Sequence, residues 1–290
     1  MISLLLPTRG RPELVLRFFK SVVDTSSDLE RVEIILYVDD DDDDSHHLDS
    51  DVLQVKRIIG PRTTMGNYNT RCLEESAGDI IVLVNDDMVI RTQGWDDKLR
   101  ELNNRYDDGV YLGYGNDLFK GGDLCTFPIL SRKTCDILVE PYPSTYKGAF
   151  IDYHLLDVFK RLQHAGYDRI CYLEDVVFEH LHYRSGKAEI DATYTQRGRF
   201  ADDQDFLDLI DCRKNAGQRL LGAIKKGELP EAKPCTPDEN GPKGLFGLMS
   251  LITFQVLFDT KLPFRWRFFL WYWFIGRTLA AKGLLWPFVR

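Results

Sequence analysis

The chain of 290 residues holds six cysteines, Cys72, Cys125, Cys135, Cys171, Cys212 and Cys235, but no two stand at CxxC spacing. That absence argues against a zinc ribbon or a dithiol redox motif, and the chain is too long for a disulfide-stapled miniprotein. All six are expected to be reduced thiols in a reducing cytoplasm. There is no positive surplus either: the net charge is −8. That balance argues against binding nucleic acid through a broad basic face, though it leaves room for a local basic groove, and no nucleic-acid partner is expected. No basic segment precedes the first apolar stretch, "MISLLLPTRGRP", which therefore reads as a strand and not a signal peptide. The uncharged run Gly244 to Phe258 has only fifteen residues, where a membrane span needs about twenty. There is no internal repeat, and the one low-complexity tract is the aspartate run Asp39 to Asp44.

Hydrophobic residues make up 44% of the chain and charged residues 28%, the balance of a folded protein. Charge is unevenly spread. From Lys243 onward there are seven Lys or Arg and one acid, Asp259, together with four of the five tryptophans, Trp266, Trp271, Trp273 and Trp286. The tail carries about +6, leaving about −14 on an acidic body.

The first ninety residues alternate strand and helix. "ISLLLP", "VEIILYV", "VLQVKRIIG" and "DIIVLV" read as buried strands. "RPELVLRFFKSVVDTS" reads as a helix with Leu14, Phe18 and Val22 on one face, and "NYNTRCLEESAG" as a helix that stops at Gly78. This rhythm predicts an α/β fold, a mostly parallel sheet flanked by helices. "GWDDKLRELNNRY" and "AFIDYHLLDVFKRLQHAGY" are further helices, "RICYLEDVVFEHLH" a strand pair and 201–228 a polar helix. The expected units are an α/β domain over 1–200, a helix and proline-rich linker over 201–243, and a helical tail over 244–290.

In a parallel α/β sheet, ligands bind off the carboxyl ends of the strands. Three strand ends carry polar clusters: Thr8-Arg9-Gly10-Arg11, Asp39-Asp40 and Asn85-Asp86-Asp87. An acid pair at the tip of a buried strand is costly without a cation. A hard divalent ion shared with a diphosphate is one reason for it, and a solvated turn is the other. His180 and His182 fall on one face of a strand, where two imidazoles suit a metal; equally, one lines a pocket and the other is structural. Lys187 suits a phosphate or plain solvent. Trp95 reads as packing, His46 and His47 as loop, and Asp41 to Asp44 as a solvated turn, since adjacent carboxylates repel one another.

The order of these motifs resembles the family 2 glycosyltransferases of GT-A fold over roughly residues 2–195: "LLLPTRGRP", "ILYVDD", "SAGDIIVLVNDD", Gly94-Trp95, then "FIDYHLLDVFKRLQHAGYDRICYLEDVVFEHLH". "PTRGRP", "YVDDDD", "GWDD" and the HxHxxxGKAxxDxTY pattern are similar to a bacteriophage and environmental-bacterial branch. Here Asp41-Asp42 replace the family's Gly-Ser and Asn85 replaces its commoner Asp. The resemblance implies that Pro7, Thr8 and Arg9 line a nucleotide and that Asp39, with Asp40 beside it, meets the base. It implies Asp87 as metal ligand with Asn85, Asp86 helping, and His180 near metal and diphosphate. Asp152 falls at the position of the catalytic base. The implied cofactors are Mn2+ or Mg2+ and a nucleotide-sugar donor, UDP-sugar favoured over GDP- or dTDP-sugar.

That chemistry is self-consistent. The leaving diphosphate needs a cation, and the acceptor hydroxyl needs a base. One base without a carboxylate nucleophile gives inversion. The tail, which mixes Trp, Tyr and Arg with Phe and Leu, has the composition of helices lying in a headgroup layer. It predicts peripheral binding to an anionic membrane on the cytoplasmic inner face, with a glycan or lipid-linked acceptor; the alternative is a helix pair packed on the body. A sugar nucleotidyltransferase would want a more glycine-rich loop than "PTRGRP". A third reading is a catalytically inactive, membrane-tethered nucleotide- or metal-binding module; as a calcium site, the aspartate run lacks the alternating ligands and the sixth-position glycine of an EF-hand.

Overall fold

The structure, a computed structural model, describes residues 1–182, 186–187, 198–238, 241–242 and 244–285. Parts of the proline-rich linker and of the HxHxxxGKAxxDxTY pattern, and the chain end with Trp286, lie outside the described residues. The chain forms β1 (Ile2–Thr8), α1 (Pro12–Thr25), β2 (Val32–Asp39), β3 (Gln54–Gly60), α2 (Met65–Glu75), β4 (Ile80–Leu83), β5 (Met88–Ile90) and α3 (Trp95–Asn104). Next come β6 (Leu112–Asn116), β7 (Ile129–Ser131), α4 (Arg132–Leu138), α5 (Ile151–His164) and β8 (Ile170–His180). They are followed by α6 (Asp203–Asp208), α7 (Ile210–Ile224), α8 (Leu245–Ile252) and α9 (Phe264–Ala281).

The strands form one sheet in the order β3-β2-β1-β4-β7-β6-β8-β5. β1 is parallel to β2 and β4, β2 to β3, and β6 to β8; the pairings of β7 and β5 are antiparallel. Every residue of β1 and β2 is buried, as their unbroken apolar runs require for strands covered on both faces. β3 is exposed and ends the sheet with Lys56 and Arg57, charges that discourage another strand from adding there. α1 and α3 pack on one face of the sheet. α2, α4, α5, α7 and the C-terminal helices cover the other.

Local signals set the helix starts. Pro12 opens α1, and the Thr64 and Ser131 hydroxyls cap α2 and α4. α2 stops at Glu75, three residues before the expected Gly78. Gly66 is required because a Cβ there would lie 1.9 Å from the Pro143 carbonyl oxygen, and its own N–H donates to Tyr146 O at 3.0 Å.

Three expectations are corrected. Residues 169–182 hold a single bent strand, β8 (Ile170–His180), and not a pair. β8 runs parallel to β6, shifts register near Asn116, and continues antiparallel to β5, so one strand serves two partners. The polar helix of 201–228 is two helices with a buried face: Phe206, Leu207, Ile210, Ala216 and Leu220 join the core. The thiols are not all free, because Cys212 in α7 is bridged to Cys235, with their Cα atoms 5.3 Å apart. That pairing comes from the linker strapping back over α7, a long-range contact that spacing does not encode. Cys72, Cys125, Cys135 and Cys171 are free and buried; burial pushes the Cys135 thiol up to about 12.

The C-terminal helices pack on the body. Trp266, Leu270, Phe274 and Thr278 lie one turn apart on the buried face of α9, against Phe150, Tyr153 and Phe206. Full burial of side chains such as Leu270 and Phe274 contributes about 1.5–3 kcal/mol each. Asp157 of α5 is the polar anchor beneath them. It accepts from Trp266 Nε1 at 2.9 Å, Arg213 Nε at 3.0 Å and Arg161 Nη2 at 3.1 Å. Burial alone would raise this carboxyl, but Arg161 and Arg213 outweigh it and hold it below its ordinary value. The opposite face leaves Phe254, Phe258, Phe264, Phe268 and Tyr272 exposed.

Candidate active site

The carboxyl ends of β1, β2 and β4 lie at one edge of the sheet because the three strands are parallel neighbours. The polar groups there are bonded to one another. Thr8 Oγ1 donates to Asp86 Oδ2 at 2.9 Å and Arg11 Nη1 to Asp86 Oδ1 at 2.9 Å, so the end of β4 is clamped to the turn after β1. Arg9 Nη1 donates to Asp39 Oδ2 at 2.7 Å, and Arg9 Nη2 reaches Asp41 at 2.8 Å. Tyr68 of α2 donates its hydroxyl to Asp39 Oδ1 at 2.6 Å. Gly10, at φ +62, offers its N–H to Asp42 Oδ2 at 2.6 Å.

The acidic run is thus divided differently from a solvated turn. Asp42 is buried and shapes the β1 turn, and Asp41 pairs with Arg9. Asp43 and Asp44 are exposed. Two cationic or donating neighbours offset the repulsion that adjacent carboxylates would otherwise feel. Asp39 has no exposed surface and holds Arg9 and Tyr68. Asp40 is exposed, with its N–H given to Gly60 O at 2.7 Å. Pro7 sits in β1 opposite Tyr37.

Asn85, Asp86 and Asp87 form the tight turn between β4 and β5, closed by Met88 N–H to Asn85 O at 3.1 Å. Pairing of Met88 with His180 in the β5–β8 ladder, and of Leu181 N–H with Asp87 O at 2.9 Å, sets the end of β8 beside this turn. His180 Nε2 lies 3.3 Å from Asp87 Oδ2, and both side chains are nearly buried. The His182 ring stands 4.9 Å from that of His180. A carboxylate and an imidazole meeting in a dry site are a fitting donor set for a divalent cation. Asp86 is differently placed: its oxygens are taken by Thr8 and Arg11, and burial, more than any neighbour, raises its carboxyl to about 6.

Asp152 stands on a separate element, in the first turn of α5, half-buried, with Oδ1 accepting the Tyr153 N–H at 2.8 Å. The loop 117–127 connects it to the β8 end. Asp117 O accepts the His180 N–H, Asp117 Oδ2 accepts the Thr126 hydroxyl, and Phe127 packs edge-on against His180. The Cys125 thiol donates to Asp152 O at 3.1 Å. The residue before the helix, Phe150, has φ +71, a left-handed conformation that a bulky side chain adopts at a cost of about 1–3 kcal/mol. Its ring is gripped by Phe206, Trp273 and Phe274.

Trp95 is fully buried, edge-on to Phe178, with its N–H on Ser26 Oγ; it packs α3 to the sheet. Lys187 pairs with Glu179 at 2.8 Å. Sequence reading gave no role at the site to Arg11, Tyr68, Asp42 or Asp117. Arg11 stood inside the quoted "PTRGRP" motif, whereas the others gain their roles only through contacts distant in sequence.

No family model matches the chain, and no curated relative matches it. Solved structures do. The mannosyltransferase PcManGT from Pyrobaculum calidifontis, in complex with GDP-Man and Mn2+, aligns with TM-score 0.51 and 12% identity over 99% of this chain and 87% of that one. S. aureus TarS 1–349 in complex with UDP aligns with TM-score 0.52 and 13% identity over 97% of this chain and 91% of that one. The same TarS fragment with UDP-GlcNAc gives 0.50 and 13% over 97% and 92%. The architecture of this chain, with its curled eight-stranded sheet and the polar strand ends at one edge, is the GT-A fold.

Proposed function

We propose that the chain is an inverting, metal-dependent glycosyltransferase that moves a sugar from a nucleotide-sugar donor to an acceptor hydroxyl. The observation that carries this reading is the junction of Asp87 and His180, 3.3 Å apart, at the strand edge where Thr8, Arg9, Arg11 and Asp39 are interlocked. Likeness of fold to proteins solved with GDP-Man and Mn2+ and with UDP supports it. The narrower similarity to a bacteriophage and environmental-bacterial branch rests on sequence motifs alone.

Asp87 and His180 would hold Mn2+ or Mg2+, with the neutral oxygen of Asn85 and the His182 ring beside them. Such a cation, when bound, would neutralise charge on the leaving diphosphate. Arg9 and Arg11 supply fixed positive charge at the same edge, and their carboxylate partners keep both guanidiniums in place before any donor arrives. Asp39 positions Arg9 and Tyr68 at the base-reading end. Asp152 takes the acceptor proton, and the packed ring of Phe150 fixes the first turn of α5 that presents it. With one base and no second carboxylate as nucleophile, the anomeric carbon inverts.

The donor of first choice is a UDP-sugar, with GDP- and dTDP-sugars next, and the acceptor a surface glycan or glycolipid. The exposed aromatic face of α8 and α9, with Lys261 and Arg265 beside it, seats the enzyme peripherally on the anionic inner face of a membrane. No helix among the described residues is long and apolar enough to cross one. The test is proton NMR of the sugar released when the protein slowly hydrolyses its donor with water as acceptor. Inverted configuration at first appearance is expected. Retained configuration, or no metal-dependent release from any nucleotide sugar, overturns the reading.

A further inference from the structure

We propose that His154, Cys212 and Cys235 form a second metal site, specific for a zinc-type cation, that exists only when the bridge between the two cysteines is reduced. The inference is independent of the glycosyl-transfer reading. A ring nitrogen of His154 and the two sulfurs lie within 4.8 Å of one another, and all three side chains are buried. Tetrahedral zinc, with Zn–S near 2.3 Å and Zn–N near 2.0 Å, needs ligand atoms roughly 3.3–3.8 Å apart. Opening the disulfide moves the sulfurs from bonding distance toward that spacing, so small side-chain adjustments bring all three onto one ion.

The scaffold keeps the thiols together after reduction. The strap that carries Cys235 is fixed to α7 and to Glu140, just past the end of α4, by bonds that do not involve sulfur. Lys233 N–H donates to Asn215 Oδ1 at 3.0 Å, Asn215 Nδ2 to Glu231 O at 3.0 Å, and Cys235 N–H to Glu140 Oε2 at 2.7 Å. Arg219 adds a further contact to Pro230 O. Cys212 is the third residue of α7, a fifteen-residue helix, so the helix backbone fixes the position of its thiol. The Tyr146 hydroxyl lies 3.0 Å from His154 Nδ1 and fixes the ring orientation, as outer partners of metal-bound histidines do.

The chemistry balances. A dithiol reductant gives two electrons and two protons to the bridge, yielding two thiols and its own cyclic disulfide. The divalent cation then displaces both thiol protons, and two thiolates cancel its charge, which a buried site requires. Three protein ligands leave the fourth position to a non-protein ligand. The result is a soft site of two sulfurs and one nitrogen, chemically distinct from the carboxylate and imidazole pair at Asp87 and His180.

Cobalt titration of the full chain tests this, because thiolate-bound Co2+ has a ligand-to-metal charge-transfer band that an oxygen and nitrogen site lacks. The reduced protein is expected to take up about one equivalent with that band, Zn2+ to displace it, and the oxidised protein to show none. Cys235→Ser, in an irregular strap where folding is least at risk, should abolish the band. Tyr146→Phe should weaken affinity about tenfold, and Asp87→Ala should leave the band unchanged. The proposal is overturned if the folded protein's bridge resists reduction, if two freed thiols give no band, or if the band survives in Cys235→Ser.

Discussion

The indole N–H of Trp266 donates to Asp157 at 2.9 Å, fastening the C-terminal helix to the helix whose first turn carries Asp152. The tail is therefore part of the core, and its docking supports the proposed base through the ring contacts of Trp273 and Phe274 on Phe150. Trp266→Phe, which removes the donor but keeps most of the buried area, should cost about 1–2 kcal/mol. Trp266→Ala adds a cavity and should cost about 3–5 kcal/mol. Urea unfolding measures both; equal, near-zero costs would mean that the helix is not docked.

Asp87→Ala and Asp152→Asn should fail in different ways. The first should abolish the metal dependence of donor binding. The second should leave donor affinity unchanged while lowering kcat by about 100- to 10,000-fold. Donor binding by calorimetry with and without Mn2+, set beside turnover, separates them. Normal turnover in Asp152→Asn would remove that residue from the mechanism.

Asp86 links stability to pH. Its carboxyl sits at about 6 when folded, against an ordinary 3.8, because burial disfavours the charge. The folded chain thus binds more protons than the unfolded chain between about pH 4 and 6. The contribution of Asp86 is most favourable at the acid end, and stability falls as pH rises through this window, by on the order of 2–3 kcal/mol. In chelator-treated protein, Asp86→Asn should flatten that part of the stability profile. An unchanged slope would show that burial does not dominate at this carboxyl.

The acidic run should respond unevenly. Asp39→Ala frees Arg9 and Tyr68, and Asp42→Ala frees the Gly10 turn, so each should weaken donor binding by about tenfold or more, consistent with loss of one charge-assisted bond. Replacing Asp43 and Asp44 together by Asn should change little, since both are exposed. Strong loss in the double variant would move the donor site onto the loop.

Exchanging exposed Phe254, Phe258, Phe264 and Phe268 for Ser should abolish flotation with anionic liposomes without lowering thermal stability, because these side chains face away from the core. Wild-type protein that stays entirely with the soluble fraction would contradict the membrane role.

Periodicity and strand-end chemistry made the first half of the fold legible, since β1, β2 and β4 are local apolar runs whose polar ends the parallel sheet must gather. The bent β8 was not legible, because its switch from β6 to β5 depends on two partners far away in sequence. The same reason hid Asp42 and Tyr68: a buried carboxylate under Gly10 and a hydroxyl on Asp39 are products of packing. The tail's composition announced an aromatic surface but not which stripe of it would be covered; Trp266, Leu270 and Phe274 at successive turns found Phe150 and Asp157. The bridge between Cys212 and Cys235 needed the strap over α7 to be seen.

The most direct measurement is a thermal-shift panel of UDP-, GDP- and dTDP-sugars on the wild type and Asp87→Ala, with and without Mn2+. Ligand at a hundredfold excess over Kd adds about 2.7 kcal/mol of stability. A shift of several degrees with one nucleotide, present only with Mn2+ and lost in Asp87→Ala, is the predicted result. No shift with any nucleotide sugar, or one that persists undiminished without metal and in Asp87→Ala, would contradict the account.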